Sequence, residues 1–521
     1  MILNLSYQFN GLRKLTFFTT LFILVKTMNV ILAGYNVDRE VIEELKKNSP
    51  PRHDITPETL SASYARISRD PRPVDELRAE ARAEVERARR SNRNIIFKMG
   101  HHSVAEHAVF NFDIIGASRL ALEEIEKFRL CSYTEKSQRY IALKEDFVVP
   151  EEVKRSGKKE IFTKTIKAQN TLYHKLYKKL CPYFFEKNKE LAEDAKKHSI
   201  LDGWAKEDAR YIVSLATEGQ LGMTINARNL EFLIRRFASK KLAELRELNS
   251  KIYSLAKEVA PSIILFTDPN DFDSKTYEEL EEKARFLLES SRRSKREVRL
   301  VDFTPEADTK LIASLLHTSS SLSFEECFKK AKAIKPNQKK DILMSAFKYM
   351  EFYDAALREF EYVSLTFDLI VSASCFAQLK RHRMTTQTAQ KYNPELDVTI
   401  PPSIEEVGAR KEFMEMIEKT NHVFSILKES IDYGAEYVLT NAHRRRVLLS
   451  VNAREFYHIS RLREDATAQW DIRALVGKMS HLVKEAMPLT FSLIGGKDVY
   501  PEIYEKIFTK PPKFFPPKFF T

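Results

Sequence analysis

The sequence contains few cysteines, and they are widely spaced. Its 521 residues include cysteines only at positions 131, 181, 327 and 375, and none belongs to a CxxC pair. Zinc and redox sites need closely spaced cysteines, and small disulfide scaffolds need many of them. The pattern argues against both classes and favours a reducing, cytoplasmic compartment.

A long apolar run is also missing. Only residues 15 to 25, LTFFTTLFILV, are continuously apolar, whereas a membrane-spanning helix needs about 20 such residues. Arg13 and Lys14 precede the run, as in a signal peptide, but no small-x-small cleavage site follows before Met28. We interpret residues 1–27 as a leader or a mis-called start, the latter being favoured, and we predict no membrane association.

No metal-ligand set stands out. His102, Glu106 and His107 lie in GHHSVAEH, but their HxxxEH spacing is one residue longer than the inverted zincin pattern. A metal site is therefore not expected.

Length and charge indicate more than one unit and an anionic partner. Single cores stop growing at about 250 to 300 residues, so 521 residues predict several units. The formal charge is +12, which suits small molecules bearing phosphate, nucleic acid or a membrane surface. Charge alone does not choose among them.

The chain contains the same unit twice. INARNLEFLIRR (225–236) resembles VNAREFYHISRL (451–462), and AVFNFDIIGAS (108–118) resembles VSLTFDLIVSAS (363–374). Each of the latter pair alternates like a strand, enters an amphipathic helix and then reaches a basic tract, KFR at 127–129 or RHR at 381–383. Each unit also opens with a strand pattern, NVILAGY or VRLVDFTP.

These repeats predict an α+β fold in tandem copies, with antiparallel or mixed sheets and long helices. We place the first copy at 28–267, a charged linker helix at 268–297, the second copy at 298–500 and a Pro/Phe-rich tail at 501–521. PPKFF occurs twice in the tail, and its prolines predict no packed element there.

Two polar motifs could bind a phosphorylated ligand. Glu135, Ser137 and Arg139 alternate, so on an extended chain they would share one face and could hold a ribose hydroxyl and a phosphate. Taken alone, the segment is more typical of a polar surface loop. The tract 381–383, with Lys380 before it, suits phosphate or an anionic ring, although such tripeptides are usually solvated basic patches.

A third motif surrounds Asn452. This residue can cap the following helix, with Glu455 completing a capping-box-like pair. The cap accounts for Asn452 but gives no role to Arg454 or Arg463, since neither is needed for it.

Together, GHHSVAEHAVFNF, the basic tract followed by SxxExSxRY, and NAR followed by a helix and AQW resemble the flavin-dependent thymidylate synthases. The resemblance implies methylation of dUMP to dTMP with FAD, NADPH and methylenetetrahydrofolate, without a cysteine nucleophile. It also implies a homodimer of fused chains, equivalent to the family's tetramer, and no stable nucleic-acid partner.

Neither half carries the whole family pattern, and the losses are complementary. By resemblance, one complete dUMP site combines residues of the second half with residues of the first: Gln378, Arg381 and Arg463 with Glu135, Ser137, Arg139 and Arg210. The mirror positions carry Glu124, Lys127 and Phe237, and Ala389, Lys391, Asn393 and Glu436. One working site and one dead site are expected, in a pseudo-dimer of the two copies. Arg463 is the expected catalytic residue, stabilising negative charge on the uracil ring.

The resemblance also implies flavin-binding positions: Ser103, Glu106, Arg381, His382, Arg383, Asn452, Arg454 and His458. His458 stands where the family has an asparagine. Asn226 and Arg228 keep the NAR element as well, so the copy that serves the flavin stays open. Two alternatives also stay open: a degenerate relative that binds nucleotide or flavin without catalysis, and a basic nucleic-acid-binding protein, which the charge alone supports.

Overall fold

The computed structural model describes residues 28–47, 52–139, 141, 143, 145–289, 291 and 294–517. The predicted leader lies outside these residues. Within them, no helix is both long and apolar enough to cross a membrane.

The first half mixes strands and helices in this order: β1 (Asn29–Tyr35), α1 (Arg39–Lys46), α2 (Glu58–Arg66), α3 (Val74–Ala83), α4 (Val85–Asn92), β2 (Val109–Ser118), α5 (Arg119–Ile125), β3 (Cys131–Glu135), α6 (Glu151–Arg155), α7 (Lys159–Lys187), α8 (Lys189–Ala192), α9 (His198–Ala209), β4 (Glu218–Asn226), α10 (Ala227–Ala238) and α11 (Ala243–Val259). The predicted linker helix follows as α12 (Asp271–Leu287).

The second half continues with β5 (Val298–Phe303), α13 (Ala307–Thr318), α14 (Phe324–Ala333), α15 (Pro336–Phe347), β6 (Ser364–Ser372), α16 (Ala373–Leu379), β7 (Thr386–Ala389), α17 (Pro402–Glu406), α18 (Arg410–Ser430), β8 (Arg444–Asn452), α19 (Ala453–Arg463), α20 (Trp470–Ala486) and α21 (Tyr500–Phe508). Short 3-10 turns include His102–His107, Arg210–Ile212 and Ala435–Val438.

Each half contains one four-stranded antiparallel sheet of the same strand order. The orders are β1-β2-β4-β3 and β5-β6-β8-β7. Phe110 and Phe112 on β2, and Leu365 and Phe367 on β6, alternate with more exposed residues and are buried, which is the period of a half-buried strand. The recurring order confirms the predicted duplication and the α+β class, and all pairs in both sheets are antiparallel.

The strand-to-helix junctions recur as well. Ser118 and Ser372 cap α5 and α16, and Asn226 and Asn452 cap α10 and α19 through their side-chain oxygens. Asn452 accepts from the Glu455 backbone N–H at 2.9 Å, as predicted. The Glu455 carboxylate, however, faces the His382 ring at 3.7 Å, so the expected capping-box-like pair is only half formed.

The halves touch through equivalent segments that exchange the same backbone hydrogen bonds. Leu215 donates its N–H to the Leu439 carbonyl at 2.8 Å, and Asn441, the counterpart of Leu215, donates to Val213 at 2.9 Å. Nearby, α7 packs on α18, where the Gln169 amide donates to Thr420 Oγ1 at 2.9 Å. Equivalent backbone bonds thus join the two halves in both directions.

The first part of the predicted tail forms a packed helix. Helix α21 buries Tyr500 and Tyr504, and the Tyr504 hydroxyl donates to the Lys348 carbonyl at 2.5 Å. Aromatic side chains spaced four residues apart share one helix face, which explains why this part folds onto the second copy. Residues 510–517 form no helix or strand.

Candidate functional site

Two predicted ligand-binding residues from different halves meet at one place. Glu135 is the last residue of β3, and Arg381 follows the end of α16. One Arg381 Nη lies 3.6 Å from a Glu135 carboxylate oxygen. Burial opposes ionisation of Glu135, yet Lys380, Arg119 and Arg381 hold its pKa below the usual value. The carboxylate is therefore charged, and it lies among cations from both halves.

Ser137 and Arg139 lie beside Glu135 but not on an extended chain. The strand ends at Glu135, and residues 138 and 139 form a turn. Ser137 Oγ accepts from the Arg139 backbone N–H at 3.1 Å, a local bond that serine commonly makes in turns. The predicted shared face is therefore wrong. The Arg139 guanidinium instead pairs with the Glu207 carboxylate on α9.

Arg210 reaches from the first half to α16 of the second. Its Nη2 donates to Ser374 Oγ at 2.9 Å. Its Nε is buried and has no hydrogen-bond partner among the described residues. Burial lowers the pKa of Arg210, and Glu207 opposes that shift. An unpaired buried guanidinium nitrogen is costly, which is typical of a site that awaits an acceptor.

Gln378 belongs to a buried hydrogen-bond chain that the sequence did not predict. Its amide donates to Gln469 Oε1 at 3.1 Å, and Gln469 donates to the Tyr211 hydroxyl at 2.6 Å. Tyr211 in turn donates to Asp471 at 2.9 Å. The AQW motif contains Gln469, so the motif pointed to this chain without assigning it a role. Gln378 Oε1 has no partner among the described residues.

Arg463 is fixed against the basic tract by two hydrogen bonds. Its Nε donates to His382 Nε2 at 2.9 Å, and its Nη2 donates to the Gln378 carbonyl at 3.3 Å. Burial, followed by the charges of Arg381 and Arg139, lowers the pKa of Arg463 to about 10, so it stays protonated at neutral pH. Burial also lowers the pKa of His382. A neutral His382 that accepts at Nε2 carries its proton on Nδ1, towards Glu455.

The predicted flavin residues fall into two groups. Around the tract, His458 packs edge-on to His382 with ring centroids 5.9 Å apart, and Arg383 donates to the Arg129 carbonyl at 3.4 Å. On the same helix as His458, Arg454 donates to the Ala356 carbonyl at 2.7 Å. Asn452 is used as the cap of that helix.

The second group lies in the first half. Ser103 and Glu106 are exposed in the turn His102–His107, and Glu106 pairs with Arg228 of the first NAR element at 2.5 Å. The same turn contains the histidines considered as metal ligands. No set of three or more potential metal ligands occurs among the residues that the structure describes.

The mirror positions have become apolar or self-paired. Phe128, Phe232 and Phe237 stand where the second half has His382, His458 and Arg463. Their rings pack with centroids 5.6 Å apart for Phe128 and Phe232 and 5.8 Å apart for Phe128 and Phe237. A polar group of three has thus been replaced by an aromatic cluster.

At other mirror positions, basic and acidic side chains pair with each other. Burial opposes the shift, but Lys127 and Lys240 lower the pKa of the Glu124 carboxyl to about 2. Linker helix α12 places Glu281 at 3.2 Å from Lys391, and the Tyr433 hydroxyl donates to Glu278 at 3.0 Å. The linker is therefore helical, as predicted, and one of its carboxylates, that of Glu281, pairs with the mirror-position residue Lys391.

Both halves resemble proteins of one known family. The model of the Thy1 family, thymidylate synthase complementing protein, matches residues 52–262 and again residues 299–489. The flavin-dependent thymidylate synthase of Clostridium tetani is 29% identical over 219 residues, which cover 41% of this chain and 83% of that protein. That of Geobacter sulfurreducens is 31% identical over 222 residues, with 42% and 85% covered.

One relative extends over both halves. A UPF0159 protein of Thermoplasma acidophilum is 24% identical over 481 residues, which cover 84% of this chain and 94% of that protein. A crystal structure of thymidylate synthase X from Helicobacter pylori with FAD and dUMP covers 46% of this chain and 99% of that chain, at 18% identity and a TM-score of 0.27.

Proposed function

The chain belongs to the thymidylate synthase complementing protein family. From this membership we propose that it methylates dUMP to dTMP, with FAD as cofactor and with methylenetetrahydrofolate and NADPH as cosubstrates. The site is the composite one, built from Glu135, Ser137, Arg139 and Arg210 of the first half and Gln378, Arg381 and Arg463 of the second. The contact between Arg381 and Glu135 across the halves carries the proposal.

The charges and unpaired atoms at this site suit a nucleotide monophosphate. Arg139, Arg210 and Arg381 are guanidinium groups that bind phosphate in a bidentate manner. Arg210 Nε is a buried donor and Gln378 Oε1 a buried acceptor, both without partners in the described residues. A ligand with a phosphate and a uracil or sugar donor satisfies both.

Arg463 acts on the base. Its protonated guanidinium is held by His382 and the Gln378 carbonyl, so it is oriented before substrate arrives. A preorganised cation stabilises the negative charge on the uracil ring that makes C5 nucleophilic towards the one-carbon unit.

The residues around the basic tract fit a flavin in charge and exposure. Arg381 is half exposed and, beside its contact with Glu135, can reach a diphosphate, while His382 is buried and neutral. Bound FAD would supply the reducing equivalent from NADPH that the transferred one-carbon unit needs to become a methyl group. Arg381, His382, Arg383, Asn452, Arg454 and His458 would hold it.

We further propose one nucleotide site per chain, in a pseudo-dimer of the two copies. The reciprocal bonds between Leu215 and Leu439 and between Asn441 and Val213 support the pseudo-dimer. The aromatic cluster of Phe128, Phe232 and Phe237 supports the loss of the mirror site, because it offers no hydrogen-bond donor to a nucleotide.

Two fused chains would form the active assembly. Ser103 and Glu106 belong to the family's flavin-binding set, yet Glu106 pairs with Arg228 of its own half. A homodimer would bring this turn of one chain to the tract of another, as in the family's tetramer.

Tritium release from dUMP labelled at C5 tests the reaction. We expect release that requires FAD, NADPH and methylenetetrahydrofolate together. Folded protein that binds FAD but releases no tritium under these conditions would contradict the catalytic proposal.

A second candidate is a nucleotide-binding or flavin-binding relative without catalysis. It is favoured by His458, which packs on His382 in place of the family's asparagine. Tight dUMP binding by a colourless protein that takes up no FAD would support it over the enzyme.

A further inference from the structure

Arg119 is a buried cation beside the candidate site that the family resemblance does not name. It is the first residue of α5, directly after β2, and only 4% of its side chain is exposed. Its Nη2 crosses to the second half and donates to the Ala373 carbonyl at 3.1 Å. Its Nη1 has no hydrogen-bond partner among the described residues.

The unpaired nitrogen faces one carboxylate, which is too distant to satisfy it: Glu135 lies 3.9 Å from Nη1. A second carboxylate, that of Glu123, lies 3.9 Å from Nη2. These separations allow charge attraction but not a hydrogen bond. Arg119 also lines a small, largely enclosed cavity together with Glu135 and Ser137. A buried guanidinium donor without an acceptor is costly, and here it lies next to predicted nucleotide ligands.

The charges around Arg210 point to an anion. Arg119 and Arg139 both act on Arg210 as like charges. Burial opposes the shift, but Glu135 and Glu123 raise the pKa of Arg119 itself. The carboxylates of Glu135 and Glu207 offset part of the repulsion between these like charges. A phosphate dianion offsets more of it and offers the acceptor oxygens that Nη1 lacks.

We propose that Arg119 is a further nucleotide-contacting residue, whose Nη1 donates to the phosphate of the bound nucleotide. This inference rests on the proposed function. The residue of the second half that corresponds to Arg119 is Ala373, so the mirror site lacks this cation as well. Arg119 therefore belongs with Glu135, Ser137, Arg139 and Arg210, the site residues of the first half.

The test compares two ligands that differ in phosphate. Arg119→Gln should weaken dUMP binding about 10- to 100-fold, the weight of one hydrogen bond to a charged group, and leave the Kd for deoxyuridine unchanged. Arg119→Lys keeps the charge but cannot also reach the Ala373 carbonyl, so an intermediate loss is expected. Thermal unfolding without ligand reports folding separately.

Arg129→Gln is the matched control. Arg129 also donates across the halves, to the Thr385 carbonyl at 3.3 Å, and this variant should bind dUMP as wild type does. Unchanged dUMP binding by Arg119→Gln, or an equal loss for dUMP and deoxyuridine, overturns the inference and leaves the proposed function standing. Wild-type protein that binds no dUMP overturns the proposed function and this inference with it.

Discussion

Replacing Arg463 by alanine removes the cation that touches both the basic tract and the backbone of Gln378. The substitution deletes the donor to His382 Nε2 at 2.9 Å and the donor to the Gln378 carbonyl at 3.3 Å. It also removes the positive charge expected to face the uracil ring. The affinity for dUMP and the turnover rate should therefore both decrease, and the turnover rate should decrease more.

The size of the effect follows from the burial of the group. Arg463 sits in a site where burial and two neighbouring arginines already lower its pKa to about 10, so little water screens its charge. Loss of one preorganised charge of this kind costs about 100- to 1000-fold in kcat, or roughly 3 to 4 kcal/mol. Arg463→Lys should recover part of this, because one ammonium keeps the charge but not both fixed contacts.

Tritium release at saturating dUMP measures kcat, and the mirror-side variant Lys127→Ala is the control. Lys127 is 43% exposed and paired with Glu124, and exposed ion pairs contribute little. We expect Lys127→Ala to stay within about fivefold of wild type. Equal damage from Lys127→Ala and Arg463→Ala would refute the assignment of working and dead sites. Arg210→Ala, in the other half, should lower turnover as severely as Arg463→Ala does.

Three further outcomes are expected. Calorimetric titration should give one dUMP per chain, and two would contradict loss of the mirror site. Phe237→Arg should not create a second site, because it buries an unpaired cation in the aromatic cluster, and thermal unfolding should show a loss of about 3 to 5 kcal/mol. Burial raises the pKa of Asp208 from its ordinary 3.8 to about 7. Between these two pH values the native protein keeps a proton on Asp208 that the unfolded chain has lost. The contribution of Asp208 to stability therefore falls as pH rises from 3.8 to about 7. Asp208→Asn should flatten that dependence in unfolding measured from pH 4 to pH 8, and an unchanged profile would show that Asp208 is not its source.

The sequence by itself determined the repeated architecture. Alternating residues around Phe110 and Phe367, and the Ser and Asn caps that follow the strands, depend on interactions within a few residues along the chain. Such interactions can be predicted from the spacing of residue types along the chain. The basic tract and the NAR elements are local in the same sense, and the family resemblance that these and the other motifs carry supplied the candidate site residues.

Only the tertiary structure decided how the halves combine. Glu135 and Arg381 are far apart in sequence, and their approach depends on the packing of two copies, which no local period encodes. The turn at Ser137 and Arg139, the unpaired donor of Arg119 and the chain from Gln378 to Asp471 also arise from long-range packing. The sequence shows that phenylalanines stand in the first half at the positions of His382, His458 and Arg463. Only the structure shows that the three phenylalanine rings pack together. A site made of side chains from separate segments is fixed by distance in space, and sequence spacing carries no measure of that distance.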